Sequence, residues 1–278
     1  MPTGTLFVVA TPLGNLGDLT PRAAEVLRTV PVVAAEDTRR TRGLLSHLGA
    51  APRLLSFHAH SAESRAAGLL EILLDGRDVA LVSDAGTPVV SDPGASLIER
   101  VRGAGCPVVP IPGVSAVATA LSVSGFEGDR YLFLGFVPRK GTERRRLLTR
   151  AAAEEWPTVF FEAPSRLVAL LTDLAERAGA DRRAAVAREL TKIHEEIRTD
   201  SLEALIRHFG TAEPRGEITV VLSGTGVPGA PPDRREEGAA LAAALLTGGM
   251  TRRDVVEKLT AELGIARNEA YRMVMELA

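Results

Sequence analysis

The sequence predicts an α/β protein with two consecutive α/β domains and a small C-terminal helical module. Short apolar runs alternate with amphipathic helical stretches up to about residue 223, and the pair Pro112-Gly113 interrupts this alternation. A Pro/Gly-rich stretch then precedes a segment that carries helical signals only. The predicted divisions are a domain at 1–113, a domain at 114–226, a linker at 227–235 and a helical module at 236–278.

The first domain begins with a continuous apolar run at 5–10, which is typical of a buried strand in a parallel sheet. A helix follows, with Thr20 as N-cap and Pro21 at the first helical position. The alternation predicts a mainly parallel sheet. The further strands are expected at 32–35, 54–57, 79–83 and 107–111, and the helices at 21–30, 38–48, 62–74 and 95–104.

The second domain repeats the alternation, and the tail contains helices only. Thr251 and Asp254 form the pattern of a capping box. The short turn between the last two helices is compatible with a helix-turn-helix or with a small helical cap that packs on the body or on a partner. Strands are expected at 131–136, 158–162, 184–188 and 217–223, and helices at 115–124, 143–152, 166–178, 201–209, 236–247, 251–263 and 267–277.

Composition excludes several classes of protein. The chain has 33 Lys+Arg and 35 Asp+Glu, and this balance argues against a purely electrostatic nucleic-acid binder. The single cysteine, Cys106, excludes a disulfide framework and a cysteine-rich zinc site, and we predict no metal. The N-terminus lacks the pattern of a signal peptide and no apolar stretch reaches about 20 residues, so we expect a cytoplasmic protein without membrane contact.

Two nucleotide-binding motifs are also excluded. Residues 224–229 match GxGxxG, but the Ala-Pro-Pro that follows cannot open the helix which a dinucleotide site needs, so a linker is predicted there. The chain has no GxxxxGK[ST] motif, so P-loop chemistry is not expected.

Three loops rich in Gly and Pro follow predicted strands, at 11–20, 83–94 and 110–116. Ligands of open α/β sheets bind beyond the carboxyl ends of strands, and glycine lets the backbone approach them closely. Asp84 stands at the end of its strand, where it either forms a turn or faces a ligand. Asp92 is expected near the N-terminus of the next helix, as a cap.

These loops, with six further motifs, resemble the tetrapyrrole-methylase superfamily of S-adenosylmethionine-dependent enzymes, from about residue 4 to 225. The combination is similar to the branch that methylates the ribose 2′-hydroxyl of a cytidine in the decoding region of 16S rRNA. The resemblance implies two α/β domains with the methyl donor in the cleft between them, a homodimer, and the small ribosomal subunit as partner. The further motifs are AAEDTRRT at 34–41, SFHAH at 56–60, LGFVPRKG at 134–141, FFEAPSR at 160–166, RELTK at 188–192 and GEIT at 216–219.

The resemblance also implies which residues bind the donor. The donor is a sulfonium ion without phosphate, which is consistent with the missing phosphate-binding motif. Many of its contacts would be made by the main chain. The implied donor-binding residues are Pro12, Asp84, Gly86, Thr87, Ser115, Ala116, Phe136, Ala163, Leu190, Ile218 and Thr219.

A ribose hydroxyl is a poor nucleophile, so a general base should accelerate methyl transfer by about 10²–10⁴-fold. Lys192 is the first candidate, because it is one of three lysines and lies inside a motif. Its alternatives are a phosphate contact or a salt bridge to Glu189 or Glu196. The rival bases are Glu36, Asp37 and His58, and the first two could instead cap the helix at Thr38.

Binding of RNA requires positive charge. Residues 139–150 carry six basic residues against one acid, although such a run can also be a solvated face. Acids outnumber basic residues in the tail, so phosphate binding is not assigned there. The candidate RNA-binding residues are Arg39, Arg40, Arg139, Lys140, Arg144, Arg145, Arg166 and Arg188.

Two other functions stay open. One is the methylation of a tetrapyrrole such as a corrin precursor, and the other is a non-catalytic ribosome-assembly factor that kept the fold. The arginine-rich segment and the helical tail favour RNA over a small tetrapyrrole, and the intact donor loops favour an enzyme over an assembly factor.

Overall fold

The computed structural model describes residues 2–58, 62–211, 214–225, 234–263 and 267–276. The chain divides into two compact units, residues 1–224 and 225–278. The predicted division of the first unit at residue 113 stays a prediction. Within the described ranges, no helix is long and apolar enough to cross a membrane.

A parallel sheet forms the first half of residues 1–224, as predicted. Its strand order is β3-β2-β4-β1-β5, and each neighbouring pair is parallel. Helices α1 and α2 pack on one face and α3 and α4 on the other, around two hydrophobic clusters. The elements are β1 Leu6–Val9, α1 Pro21–Thr29, β2 Val32–Ala35, α2 Thr38–His47, β3 Arg53–Ser56, α3 Ala62–Leu74, β4 Val79–Val82, α4 Ala95–Gly103 and β5 Val108–Ile111.

The second half contains a mixed sheet, with the order β6-β7-β10-β8-β9. Strands β6 and β7 are parallel, and the other neighbouring pairs are antiparallel. Helices α6, α7 and α8 cover one face, and α5 packs on the other beside Leu13. The elements are α5 Ala116–Ser124, β6 Leu132–Phe136, α6 Thr142–Ala153, β7 Thr158–Glu162, α7 Leu167–Ala178, β8 Arg183–Arg188, β9 Glu196–Ser201, α8 Leu202–Phe209 and β10 Ile218–Leu222.

Strand β9 was not predicted. It lies at the edge of the second sheet and pairs with β8 along its whole length. Glu196, Arg198 and Asp200 give it a charge at alternate positions, and none of its residues is buried. Sequence patterns find strands by their buried apolar face, and this strand has none.

The helical module has a hydrophobic core of its own. It consists of α9 Arg234–Thr247, α10 Arg252–Leu263 and α11 Arg267–Glu276, whose buried residues include Val255, Leu259 and Met273. The predicted capping box is confirmed, because the Asp254 N–H donates to Thr251 Oγ1 at 3.3 Å and that hydroxyl donates to Asp254 Oδ2 at 2.7 Å. Most of the predicted linker lies outside the described residues.

Candidate active site

The topology of the first sheet produces a crevice between β1 and β4. The chain leaves β1 through α1 to reach β2, and it leaves β4 through α4 to reach β5. These two connections run in opposite directions and cross opposite faces of the sheet. The loops that leave β1 and β4 therefore diverge, and ligands bind at such points. Thr11 and Gly86 tie the bases of the two loops together by reciprocal N–H···O bonds of 2.9 Å.

A cavity of about 420 Å³ opens there, and loops from both sheets line it. Its volume lies within the usual range for small-molecule sites. Pro12 is not among the described residues that line it, although its neighbour Leu13 is. The other residues predicted to bind the donor all line the cavity: Asp84, Gly86, Thr87, Ser115, Ala116, Phe136, Ala163, Leu190, Ile218 and Thr219.

The loop at 83–94 reaches the cavity through an unusual backbone path. Val89 and Ser91 have φ values of 75° and 67°, a left-handed region that is strained for a β-branched residue such as Val89. Side-chain hydrogen bonds hold the loop in place, since Thr87 Oγ1 donates to Val114 O at 3.1 Å and Ser83 Oγ to Gly86 O at 3.2 Å. Strain maintained in this way is typical of functional sites.

Five carboxylates line the cavity. Glu162 pairs with Arg166, and the other four are called the acidic wall below: Glu36, Asp84, Asp92 and Glu217. Burial, and next the charge of Asp84, raise the pKa of Glu36. Burial, and next the charge of Glu36, raise the pKa of Asp92 to about 6. Carboxyl groups perturbed in this way cluster at functional sites.

The predicted capping role of Asp92 is wrong. Helix α4 has Gly94 as its N-cap, and within the described chain no side chain makes a capping hydrogen bond there. Gly94 has a φ of 145°, and a Cβ on it would lie 2.9 Å from side-chain atoms of both Leu81 and Val89. The chain is therefore packed back onto β4 at this point, which leaves Asp92 beside the cavity instead of at the helix terminus.

Asp84 and Asp37 join the ends of β4 and β2. Asp84 Oδ1 accepts a hydrogen bond of 2.8 Å from the Asp37 N–H, and Asp84 Oδ2 lies 3.9 Å from Arg40 Nε. Asp37 caps α2 by accepting from the Arg39 N–H at 2.8 Å, which agrees with the structural alternative considered for it. Hydrogen bonds from Arg39 lower the pKa of Asp37 to about 2, so this carboxylate is a weak base.

Two predicted bases, Asp37 and His58, are not among the described residues that line the cavity. His58 follows β3 and lies close enough to Glu36 for its charge to oppose the rise in the pKa of that carboxyl group. Glu36 does line the cavity. The fourth candidate, Lys192, lines a neighbouring open depression of about 660 Å³ together with Gly14.

Lys192 is held as a cation. Its Nζ donates to Glu189 Oε1 at 2.8 Å and to Glu217 Oε2 at 3.2 Å. Burial acts to lower the pKa of Lys192, but the two carboxylates outweigh it and the pKa lies above its usual value. The arrangement confirms the predicted salt bridge to Glu189, and it does not supply the neutral amine that the predicted base requires. The alternative partner, Glu196, pairs instead with other residues.

Three of the predicted RNA-binding arginines are internal ion-pair partners. Arg144 Nε donates to Asp173 Oδ2 at 2.8 Å, and Arg166 Nε donates to Glu162 Oε1 at 2.6 Å. Arg188 Nε donates to Glu196 Oε2 at 3.0 Å. Their side chains are 11%, 25% and 20% exposed, and each pairs with a carboxylate of the fold, which favours a structural role over contact with RNA.

The other predicted RNA-binding residues are exposed. Arg39 pairs with Asp37 at 2.7 Å, and Arg40 lies 3.4 Å from Glu217 while it also lines the cavity. Arg139, Lys140 and Arg145 follow β6, whose last residue, Phe136, lines the cavity. Positive charge is therefore available on the chain segments next to the cavity.

The walls of the cavity fit a ligand with a flat ring and a positive charge. Phe136 is 59% exposed and contacts Phe161 edge to face, with ring centroids 5.6 Å apart. The acidic wall favours a cation. Among the described residues, no group of three or more His, Cys, Asp or Glu could hold a metal ion.

Comparisons with known proteins give one family. The family model described as tetrapyrrole (corrin/porphyrin) methylases matches residues 5–206. A protein of Synechocystis sp. named ribosomal RNA small subunit methyltransferase I is 42% identical over 274 residues, which cover 99% of this chain and 98% of that protein. A relative of the same name from Thermotoga maritima is 47% identical over 221 residues, or 80% of this chain and 99% of that protein.

A solved structure supports the same fold. The crystal structure of diphthine synthase matches with a TM-score of 0.64 at 18% identity, and covers 79% of this chain and 90% of that one. The family match over residues 5–206 includes the loops that leave β1 and β4, where the cavity opens. The chain therefore belongs to the tetrapyrrole (corrin/porphyrin) methylase family.

Proposed function

We propose that the chain is an S-adenosylmethionine-dependent methyltransferase that modifies the ribose 2′-hydroxyl of a cytidine in the decoding region of 16S rRNA. The observation that carries the proposal is the cavity, because ten of the residues expected to bind the donor meet there. The relatives named ribosomal RNA small subunit methyltransferase I, one of which matches 99% of this chain, support the choice of RNA as the acceptor.

The cavity residues fit the proposed donor. When bound, S-adenosylmethionine supplies a methyl group on a positively charged sulfur, which makes that carbon open to displacement. Phe136 and Phe161 offer an apolar surface for the adenine ring. The acidic wall balances the positive charge, and the backbone of the 83–94 loop offers N–H and C=O groups. Holding the acceptor oxygen in line with the methyl carbon supplies much of the rate.

The exposed basic residues would orient the RNA. Arg40 lines the cavity, and the exposed Arg39, Arg139, Lys140 and Arg145 lie on chain segments that lead away from its lining residues. Such residues can contact phosphates without reading sequence. The small ribosomal subunit is the proposed partner. A homodimer that acts in the cytoplasm is proposed as well, from the sequence resemblance.

Methyl transfer to purified small ribosomal subunits that lack the modification tests the proposal. With labelled donor, we expect one 2′-O-methylcytidine, located by mass spectrometry of the decoding region. Ala116→Phe should abolish donor binding in calorimetry, because Ala116 lines the cavity. Ala95→Phe is the matched control, since Ala95 is exposed and also starts a helix. Labelling of a tetrapyrrole but not of RNA would contradict the proposal, and a chain that binds no donor would support an assembly factor.

A further inference from the structure

We propose that Asp92 is the general base which takes the proton of the acceptor hydroxyl, and that Glu36 acts through it. The inference rests on the proposed function and deepens it. The sequence predicts only a helix cap for Asp92.

The backbone directs Asp92 to the cavity. The left-handed residues Val89 and Ser91 turn the 83–94 loop inward, and Gly94 packs the chain back onto Leu81 immediately after Asp92. Asp92 therefore lies among the residues that line the cavity, and its carboxyl group is close to Ser83 at the end of β4. A base needs such a fixed position within reach of the proton that it accepts.

Three other carboxylates of the cavity are engaged elsewhere. Asp84 accepts from the Asp37 N–H at 2.8 Å, and Glu162 pairs with Arg166 at the end of β7. Glu217 accepts from Lys192 and lies 3.4 Å from Arg40.

Glu36 and Asp92 both line the cavity, and the pKa of each is raised, mainly by burial. The charges that act on Asp92 come from several elements around it. Glu36 follows β2, Asp84 follows β4 and Glu217 precedes β10, and all three oppose its ionisation. Arg40, on α2, pairs with two of these carboxylates, at 3.9 Å from Asp84 and 3.4 Å from Glu217.

With a pKa of about 6, Asp92 is ionised near neutral pH and binds a proton more tightly than an ordinary aspartate. This is the range in which a carboxylate works best as a base at that pH.

The hydroxyl proton passes to a carboxylate oxygen of Asp92 while the ribose oxygen attacks the methyl carbon. The O–C bond forms as the C–S bond breaks, and the electron pair of that bond stays on sulfur. A 2′-O-methyl ribose and a neutral thioether result, and the Asp92 carboxyl group then releases its proton to water.

Single-turnover methylation with saturating donor and small subunits tests the inference. Asp92→Asn should lower the rate at neutral pH by about 10²–10⁴-fold. Donor affinity measured by calorimetry should fall far less, because the other three carboxylates of the acidic wall remain. The matched control Asp181→Asn changes an exposed aspartate away from the cavity and should react like the wild type.

The pH profile supplies the second measurement. The wild-type rate should rise with pH through about 6, where Asp92 ionises. Burial is the main cause of the raised pKa of Asp92, and the charge of Glu36 adds to it. Glu36→Gln removes that added contribution, so this rise should move to lower pH while a plateau remains. A residue that only supports the loop would lower the rate without moving the profile.

The outcomes separate this inference from the proposed function. A wild-type protein that methylates RNA, with Asp92→Asn reacting equally fast, overturns the role of Asp92 alone. A wild-type protein that binds the donor but methylates no RNA overturns both. A Glu36→Gln profile that coincides with the wild type contradicts the role of Glu36.

Discussion

The side chain of Lys192 lies directly across the Cα of Gly14, where a Cβ atom would stand 2.2 Å from Lys192 Cγ. Gly14 belongs to the loop after β1 and Lys192 to the segment after β8, so this contact joins the two halves of residues 1–224. The ammonium group at the far end of the side chain binds Glu189 and Glu217. A methyl group at position 14 would therefore displace the lysine from both carboxylates.

Gly14→Ala and Lys192→Met should have the same effect on stability. Each removes ion pairs that are partly exposed, so we expect a loss of less than about 1 kcal/mol in the free energy of unfolding. The double variant should lose no more than either single variant, because both act on the same contact. Urea unfolding of the three variants measures this, and additive losses would show that the residues act independently.

Asp84→Ala should destabilise the protein by about 1–2 kcal/mol, because it leaves the buried end of β2 without the acceptor for the Asp37 N–H. Asp84→Asn keeps an acceptor oxygen at the same place and should lose less. Urea unfolding at neutral pH compares the two variants. Equal losses would mean that the charge of Asp84, and not its hydrogen bond, holds the two strand ends together.

Arg166→Met should destabilise the fold by about 3 kcal/mol, because it leaves the fully buried carboxylate of Glu162 without its cation. Within the described structure, Glu162 Oε2 already has no hydrogen-bond partner. Adding Glu162→Gln should recover part of the loss, which thermal or urea unfolding can measure. At a temperature where Arg166→Met is folded, its affinity for RNA should equal that of the wild type, and a large loss of affinity would restore Arg166 to the RNA-binding surface.

The ionisation of Asp92 should oppose folding. Its pKa rises from 3.8 to about 6 on folding, so the folded protein takes up a proton between these values and loses stability as pH increases through them. Asp92→Asn should therefore raise the free energy of unfolding above pH ~6 by about 1–2 kcal/mol, allowing for solvent screening, and should change it little near pH ~4. Thermal unfolding across this range checks the sign, and a variant that is less stable at high pH would contradict it.

Arg139→Ala and Arg145→Ala together should weaken RNA binding and reduce its dependence on salt. Two lost phosphate contacts should lower the slope of log affinity against log salt concentration by about 1–2. Filter binding to small subunits at several salt concentrations measures the slope. Arg102→Ala, an exposed residue on α4, is the matched control. An unchanged slope would mean that these arginines belong to a solvated face only.

The sequence allowed the parallel sheet, the helical module and most of the cavity to be predicted, because each depends on local signals. Apolar runs identify buried strands, and Gly/Pro loops such as 83–94 mark the strand ends where ligands bind. The structural roles of Arg144 and Arg188 could not be predicted, since their partners Asp173 and Glu196 are brought close by tertiary packing.

The cap predicted at Asp92 also differs from the structure because of tertiary packing. Its spacing from α4 fits a cap, and the deviation arises from the positive φ values of Val89, Ser91 and Gly94. Val89 and Ser91 are not glycines, so the residue types at these positions do not indicate positive φ values. Lys192 was predicted as a base because lysine is rare in this chain, whereas its charge state depends on Glu217, which lies 25 residues further along the sequence.

Strand β9, which the sequence pattern does not predict, forms an edge of the second sheet. Among the described strands, none pairs with its outer edge, and such an edge offers backbone groups on which another chain can add a strand. The charged side chains of Glu196, Arg198 and Asp200 would have to lose water when that happens, which opposes it. The alternating charges explain why β9 lacks the apolar pattern of a strand. The same charges oppose edge-to-edge aggregation of the sheet.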